Sequence, residues 1–222
     1  MKKENQKNLC VTGGLFLLFI LWTIVIHFVD VQKVGPKESS VGVATFNVFF
    51  HNLTGVHMII YNITDWLGVV PFLIVLGFAI LGTVQLIQRK SLFKVDYDIL
   101  VLGGFYILVM VAYVLFEIFA INYRPILIDS CLEASYPSST TLLVMCVIPT
   151  AIMQFYKRIQ NNNVRRVVII VLSVFMAFMI IGRLVAGVHW FTDIIGGALL
   201  SSSLVMLYYS VNKIVEKENP KV

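Results

Sequence analysis

Three ionisable residues stand close together in Gly182-Arg183-Leu184-Val185-Ala186-Gly187-Val188-His189-Trp190-Phe191-Thr192-Asp193, which joins two long apolar segments. His189 and Asp193 are four apart, so on a helix they would share one face. A carboxylate there can hold an imidazole in one tautomer and stabilise its cation. Arg183 offers a planar fork of donors that suits phosphate or carboxylate. The types fit a nucleophile or base, an orienter and an anion clamp. Ionisable groups beside lipid are expensive, which makes function the default reading. The plainer alternative is a helix cap with a boundary arginine.

Two other stretches carry matching chemistry. Arg124-Pro125 begins a polar loop over residues 122–138, and Ser138-Ser139-Thr140-Thr141 follows Pro137. A hydroxyl run of that kind is most simply an N-cap. The helix it opens also presents free N–H groups and a dipole to any anion. Two arginines facing such a helix start would make a phosphate cradle.

The elements that must position these residues are membrane spans. The 222 residues are 59% hydrophobic and 13% charged, with a mean hydropathy of +0.88. That composition excludes an ordinary soluble domain. The apolar runs predict six spans over about 9–29, 66–87, 99–121, 139–155, 167–185 and 190–211. Residues 44–65, rich in Phe with His51, Asn52 and Asn62 between, read as one interfacial helix rather than a span. The expected fold class is therefore all-α, a six-helix integral membrane bundle forming one domain over 1–222. The first run is too long for a signal-peptide core and lacks an evident cleavage site.

Net charge is +5. If the N-terminus lies inside, thirteen of the seventeen Lys and Arg residues fall on the inner side, and only Lys33, Lys37, Arg124 and Arg183 fall outside. The basic residues are thus mainly topology signals, not a nucleic-acid footprint. Both termini are then cytoplasmic, and the 122–138 loop meets the 182–193 turn on the extracytoplasmic side. Cys10, Cys131 and Cys146 have no C-x-x-C spacing, so neither a disulfide framework nor a metal site is expected.

This order of motifs resembles the type 2 phosphatidic acid phosphatase superfamily, the integral-membrane lipid phosphate phosphatases. That family's pattern is K-x6-R-P, then P-S-G-H, then S-R-x5-H-x3-D. Here the first motif reads Glu117-x6-Arg124-Pro125, and the second reads Pro137-Ser138-Ser139-Thr140. The third reads Gly182-Arg183-x5-His189-x3-Asp193 and is the specific signal. The resemblance implies that His189 attacks phosphorus to form a phosphohistidine, with Asp193 orienting it. It also implies that Arg124, Arg183, Ser138, Ser139 and Thr140 bind the phosphate, without metal or other cofactor.

The departures bear on the reaction. Glu117 stands where the family has a lysine, and Thr140 where it has a histidine, the expected acid for the leaving group. A threonine hydroxyl is a poor proton source near neutral pH. Losing that acid would cost on the order of 10²- to 10⁴-fold for an alkoxide leaving group. It would cost little when a phosphate leaves, so the expected substrate is a diphosphate-linked lipid such as a polyprenyl diphosphate. Glu117 is a possible auxiliary acid, or simply a partner of Arg124. The alternatives are a catalytically silent relative that binds anionic lipid or a partner protein, and a lipid phosphotransferase. A bacterial cell membrane fits the small size and short loops.

Overall fold

The computed structural model describes residues 2–218, with side chains over 4–216. Of the basic residues used to orient the chain, Lys221 lies outside the described residues, as do the side chains of Lys2, Lys3 and Lys217. Among the described residues, eight α-helices run α1 (Lys2–Phe28), α2 (Ala44–Thr54), α3 (Met58–Leu67), α4 (Val69–Arg89), α5 (Tyr97–Ile118), α6 (Ser139–Arg158), α7 (Asn162–Val185) and α8 (Phe191–Glu218). No β-strand occurs among the described residues. Six stretches are long and apolar enough to cross a membrane: α1, the joined α3–α4 pair over Met58–Arg89, and α5 to α8. The all-α, six-span class expected from the sequence is the one observed.

Helix α8 sits at the centre and packs against α1, α5 and α6. Its register alternates small and large residues, so Ser201 and Ser203 are buried beside Leu200, Leu204 and Tyr208. Phe105, Tyr106, Leu142, Cys146 and Val147 complete that core. The outward faces of α1, α4, α5 and α7 expose Leu, Ile, Val and Phe. In water such faces would be unstable, but against hydrocarbon they are the expected solvent contact.

Residues 44–65 do not form one interfacial helix. The chain breaks at Gly55, which adopts φ +70°, and α3 then runs on into the second span. The break between α3 and α4 is local chemistry. Pro71 has no amide hydrogen to offer the Leu67 carbonyl, and the Gly68 amide bonds back to Thr64 and Asp65 instead. Helix α5 stops three residues before its expected end. Helices α6, α7 and α8 extend past the apolar stretches at the opposite end, because Lys, Arg and Asn are acceptable helix residues once outside hydrocarbon.

Six spans bring one set of helix ends together: the C-termini of α1, α5 and α7 and the N-termini of α4, α6 and α8. The α2–α3 segment and the 122–138 loop cover that end. All the sequence-predicted site residues lie there.

Candidate active site

Arg124 enters the site through loop closure. Residues 122–135 fold back on themselves. Ser135 N–H donates to the Asn122 carbonyl at 2.9 Å and Arg124 N–H to the Glu133 carbonyl at 3.0 Å. The Arg124 guanidinium lies 3.0 Å (Nε to Oε2) from the Glu133 carboxylate. Its Nε and Nη1 are nevertheless buried without a well-aligned hydrogen-bond acceptor.

Ser138 caps α6. Its hydroxyl accepts from the Thr141 hydroxyl at 3.0 Å, and its amide donates to the Asp193 carbonyl at 3.0 Å. Both groups are thereby engaged, and Ser138 does not reach the cavity described below. Ser139 and Thr140, the first residues of the helix, do line it. Their amides belong to the first turn, where no intrahelical acceptor exists.

Arg183 occupies the last turn of α7, where the helix dipole favours a cation. Its side chain is only 3% exposed. Nη2 donates to Asp65 Oδ1 of α3 at 2.8 Å, while Nε and Nη1 have no acceptor. Its guanidinium carbon also sits 5.0 Å from the Tyr61 ring centroid, with that of Arg124 5.9 Å from the same ring. Both guanidiniums therefore lie near the Tyr61 ring. Tyr61 and Asp65 are four apart on one face of α3, a spacing visible in the sequence but hidden in a segment that reads as interfacial.

His189 lies in the tight connection between α7 and α8. That connection turns at Gly187, with φ +68°, and a Cβ there would collide with the Gly55 carbonyl. His51 hydrogen-bonds the Gly187 carbonyl, the His57 amide donates to the Ala186 carbonyl, and Trp190 Nε1 donates to the Tyr123 carbonyl. The turn is thus held by α2, α3 and the 122–138 loop together. Because α8 begins at Phe191, His189 and Asp193 do not share a helix face as expected. Asp193 instead reaches back to the start of its own helix, where Oδ2 accepts from the Trp190 amide at 2.9 Å. This is one half of a capping box.

The imidazole Nδ1 is 3.2 Å from the Ser135 carbonyl and 3.8 Å from Asp193 Oδ2. A carbonyl can only accept, so Nδ1 carries the hydrogen and Nε2 keeps its lone pair. The carboxylate acts across ion-pair distance rather than through a direct hydrogen bond. Sequence reasoning missed Ser135, whose contribution is a backbone group with no sequence signal. Nε2 and Asp193 Oδ1 are buried without partners. Burial pulls the His189 pKa down to about 4 from 6.5, against the pull of Asp193 and with help from Arg124 and Arg183. The imidazole is therefore neutral near pH 7, as a nucleophile must be.

A cavity of about 720 Å³ collects Arg124, Arg183, Ser139, Thr140 and Glu117 with Tyr61, Asp65, Tyr113 and Glu133. His189 and Asp193 do not line it; His189 contacts the Ser135 carbonyl, one residue after Ala134, which does line it. Chemically, the cavity offers cationic forks and helix amides for a phosphate, and His189 keeps an uncommitted ring nitrogen.

Residues 116–216 match the family model described as the PAP2 superfamily, a span that holds all eight sequence-predicted site residues. A comparison with curated proteins finds no match. Among solved structures, the chain is similar to a transmembrane PAP2-type phosphatidylglycerolphosphate phosphatase from Bacillus subtilis. That match has a TM-score of 0.61 at 23% identity and covers 92% of this chain and 96% of the other. At that identity it establishes the multi-pass membrane fold. Over residues 116–216, then, this six-span membrane chain matches the PAP2 superfamily.

Proposed function

We propose that the chain, acting as one domain, hydrolyses a phosphorylated lipid headgroup through a phosphohistidine at His189. The observation that carries this reading is the state of the His189 side chain. Its Nε2 is buried, neutral and uncommitted, and it lies within the field of two arginines that each keep unpartnered donors.

In the first step Nε2 forms a bond to phosphorus as the bond to the leaving oxygen breaks. Positive charge develops on the ring and is stabilised by Asp193, while Ser135 holds the tautomer. Arg124, Arg183 and the Ser139 and Thr140 amides take the equatorial oxygens, where charge stabilisation is the main catalytic lever. Water then attacks the phosphohistidine and releases inorganic phosphate and free His189.

The leaving group is the discriminating feature. Thr140 and Glu117 line the cavity at the positions where the family has histidine and lysine. Without a histidine acid, a leaving phosphate is favoured over a leaving alkoxide, which supports a diphosphate lipid such as a polyprenyl diphosphate. The charge distribution supports a site on the extracytoplasmic face, and the small size and short loops fit a bacterial cell membrane.

The test is phosphate release by the purified protein in detergent without added metal. Polyprenyl diphosphate, phosphatidate and phosphatidylglycerophosphate are compared, beside His189→Ala. Release that vanishes in the variant and is fastest from the diphosphate is expected. Faster release from either monophosphate would sink the leaving-group argument. Absence of release from all three, in folded protein, would favour a silent binder.

A further inference from the structure

The cavity holds more carboxylates than guanidiniums. Asp65, Glu117 and Glu133 line it against Arg124 and Arg183. A phosphate ester entering this space adds negative charge where acids already outnumber bases, and a partly buried setting magnifies the repulsion. One of the carboxylates has to give way.

The contacts distinguish the three acids. Glu133 belongs to the loop that carries Arg124. It pairs with the Arg124 guanidinium while its own carbonyl accepts the Arg124 amide, so that pair closes the loop. Glu117 forms no ion pair within 4.0 Å among the described residues. Asp65 comes from a separate element 118 residues away in sequence. Its Oδ1 stands 2.8 Å from Arg183 Nη2, where an oxygen of a bound phosphate would also sit. The pair is lopsided. The Arg183 side chain is 3% exposed and fixed in the last turn of α7, whereas the Asp65 side chain is 58% exposed. Arg183 is held in place by its surroundings, whereas a rotamer change is enough to take the exposed Asp65 carboxylate off it. Exchanging the acceptor on Arg183 therefore costs little on the Asp65 side, and the ligand that replaces it must carry comparable charge.

We propose that Asp65 is a displaceable counter-ion that competes with the substrate phosphate for Arg183 and so sets how much charge a headgroup must carry to bind. This rests on the reading above, which puts Arg183 on the phosphate. Asp65 is then a specificity residue and not a catalytic one. A diphosphate brings more charge and more acceptor oxygens than a monophosphate, and it displaces Asp65 more readily. Removing the carboxylate favours both ligands, the monophosphate more.

The experiment uses inorganic phosphate and inorganic diphosphate as probes. Their binding to full-length protein in detergent is measured by calorimetry at fixed ionic strength. Wild type, Asp65→Asn, Arg183→Ala and the double variant are compared, with KM and kcat measured on the lipid substrate. Asp65→Asn is expected to tighten phosphate roughly 3- to 30-fold, the scale of losing one ion-pair competitor. It is expected to tighten diphosphate less and to lower KM more than it changes kcat. In the Arg183→Ala background the same substitution is expected to do nothing. A merely structural Asp65 would instead give weaker or unchanged binding.

Asp65→Ser serves where Asp65→Asn does not fold. Unchanged or weaker phosphate binding in a folded variant overturns the proposal, as does a gain that survives loss of Arg183. If wild type shows His189-dependent turnover and Asp65→Asn changes nothing, only the Asp65 proposal fails. If neither protein binds phosphate nor turns over lipid, the phosphatase reading fails and takes this proposal with it.

Discussion

The two polar ends of the bundle use the same residue types in opposite bonding states. At the end away from the site, Arg158 places Nη1 and Nη2 on the Asp98 carboxylate, each at 3.0 Å, and also reaches Gln154. Gln154 in turn donates to the Tyr208 hydroxyl at 2.6 Å. Arg89 pairs with Asp96 at 2.8 Å, and Gln85 exchanges two hydrogen bonds with Asp96. None of these side chains is among the buried groups left without a partner.

At the site end, Arg183 keeps two buried donors without acceptors and Arg124 keeps Nη1, its Nε meeting Glu133 only as a poorly aligned ion pair, and His189 Nε2 and Asp193 Oδ1 are equally unmatched. An unsatisfied buried polar group costs about 1–3 kcal/mol, more when charged. At the far end Arg89 and Arg158 are engaged by carboxylates and leave no buried donor over. Among the described residues, most of the buried groups left unpartnered belong to the residues around the candidate nucleophile. Unmet hydrogen-bonding capacity, rather than the presence of charge, marks the functional end.

The sharpest way to break this contrast is to remove one member from each end. His189→Ala should abolish turnover, a loss on the order of 10⁴-fold or more for a covalent nucleophile, in protein that still folds by circular dichroism. Arg124→Ala and Arg183→Ala should each cost about 10²- to 10³-fold in kcat/KM, the scale of one donor to a charged transition state. Arg158→Ala should leave kcat/KM within a few-fold of wild type. It should instead lower stability by about 2 kcal/mol, because it strands Asp98 and Gln154. If Arg158→Ala proved as damaging to kcat/KM as Arg183→Ala, the distinction between the ends would collapse.

Gly187→Ala tests the turn that carries His189. A side chain there meets both a left-handed backbone and the Gly55 carbonyl. The expected destabilisation is about 2–4 kcal/mol, read as a fall in melting temperature with matching loss of activity. Gly77→Ala, where a Cβ meets open space, should be neutral or slightly stabilising.

The smallest expected effect is on pH. His189 must be neutral to attack, and burial lowers its pKa to about 4. The acid limb it imposes on kcat/KM should therefore lie near pH 4 rather than near 6.5. Its folded pKa is below its unfolded value, so between pH 6.5 and 4 the unfolded chain binds more protons. Stability from this group is fully present above pH 6.5 and declines as pH falls through that window. An acid limb near pH 6.5 in the wild-type protein would contradict the assignment.

Much of the fold was legible from the sequence because hydrocarbon imposes a simple rule on length and composition. The six spans follow from apolar runs of sufficient length. The break at Gly55 was not legible, since it depends on a close approach between Gly55 and Gly187, which are distant in sequence. The site was legible where chemistry rests on side-chain type and spacing, as in Arg183-x5-His189-x3-Asp193. It was not legible where it rests on backbone or on distant partners. The acceptor for His189 is the Ser135 carbonyl, and the partner of Arg183 is Asp65 on a helix that reads as interfacial. The expected helical pairing of His189 with Asp193 failed for the same reason. Asp193 is used first to cap its own helix, which starts after His189.

The most direct test of the central claim is to trap the intermediate. Purified protein is mixed with polyprenyl diphosphate labelled in the terminal phosphate, quenched within a single turnover, and mapped by mass spectrometry at alkaline pH. An acid-labile, alkali-stable phosphate on His189, absent from His189→Ala, is the predicted result. Turnover of substrate with no phosphate on His189, or with the label on another residue, would contradict the account.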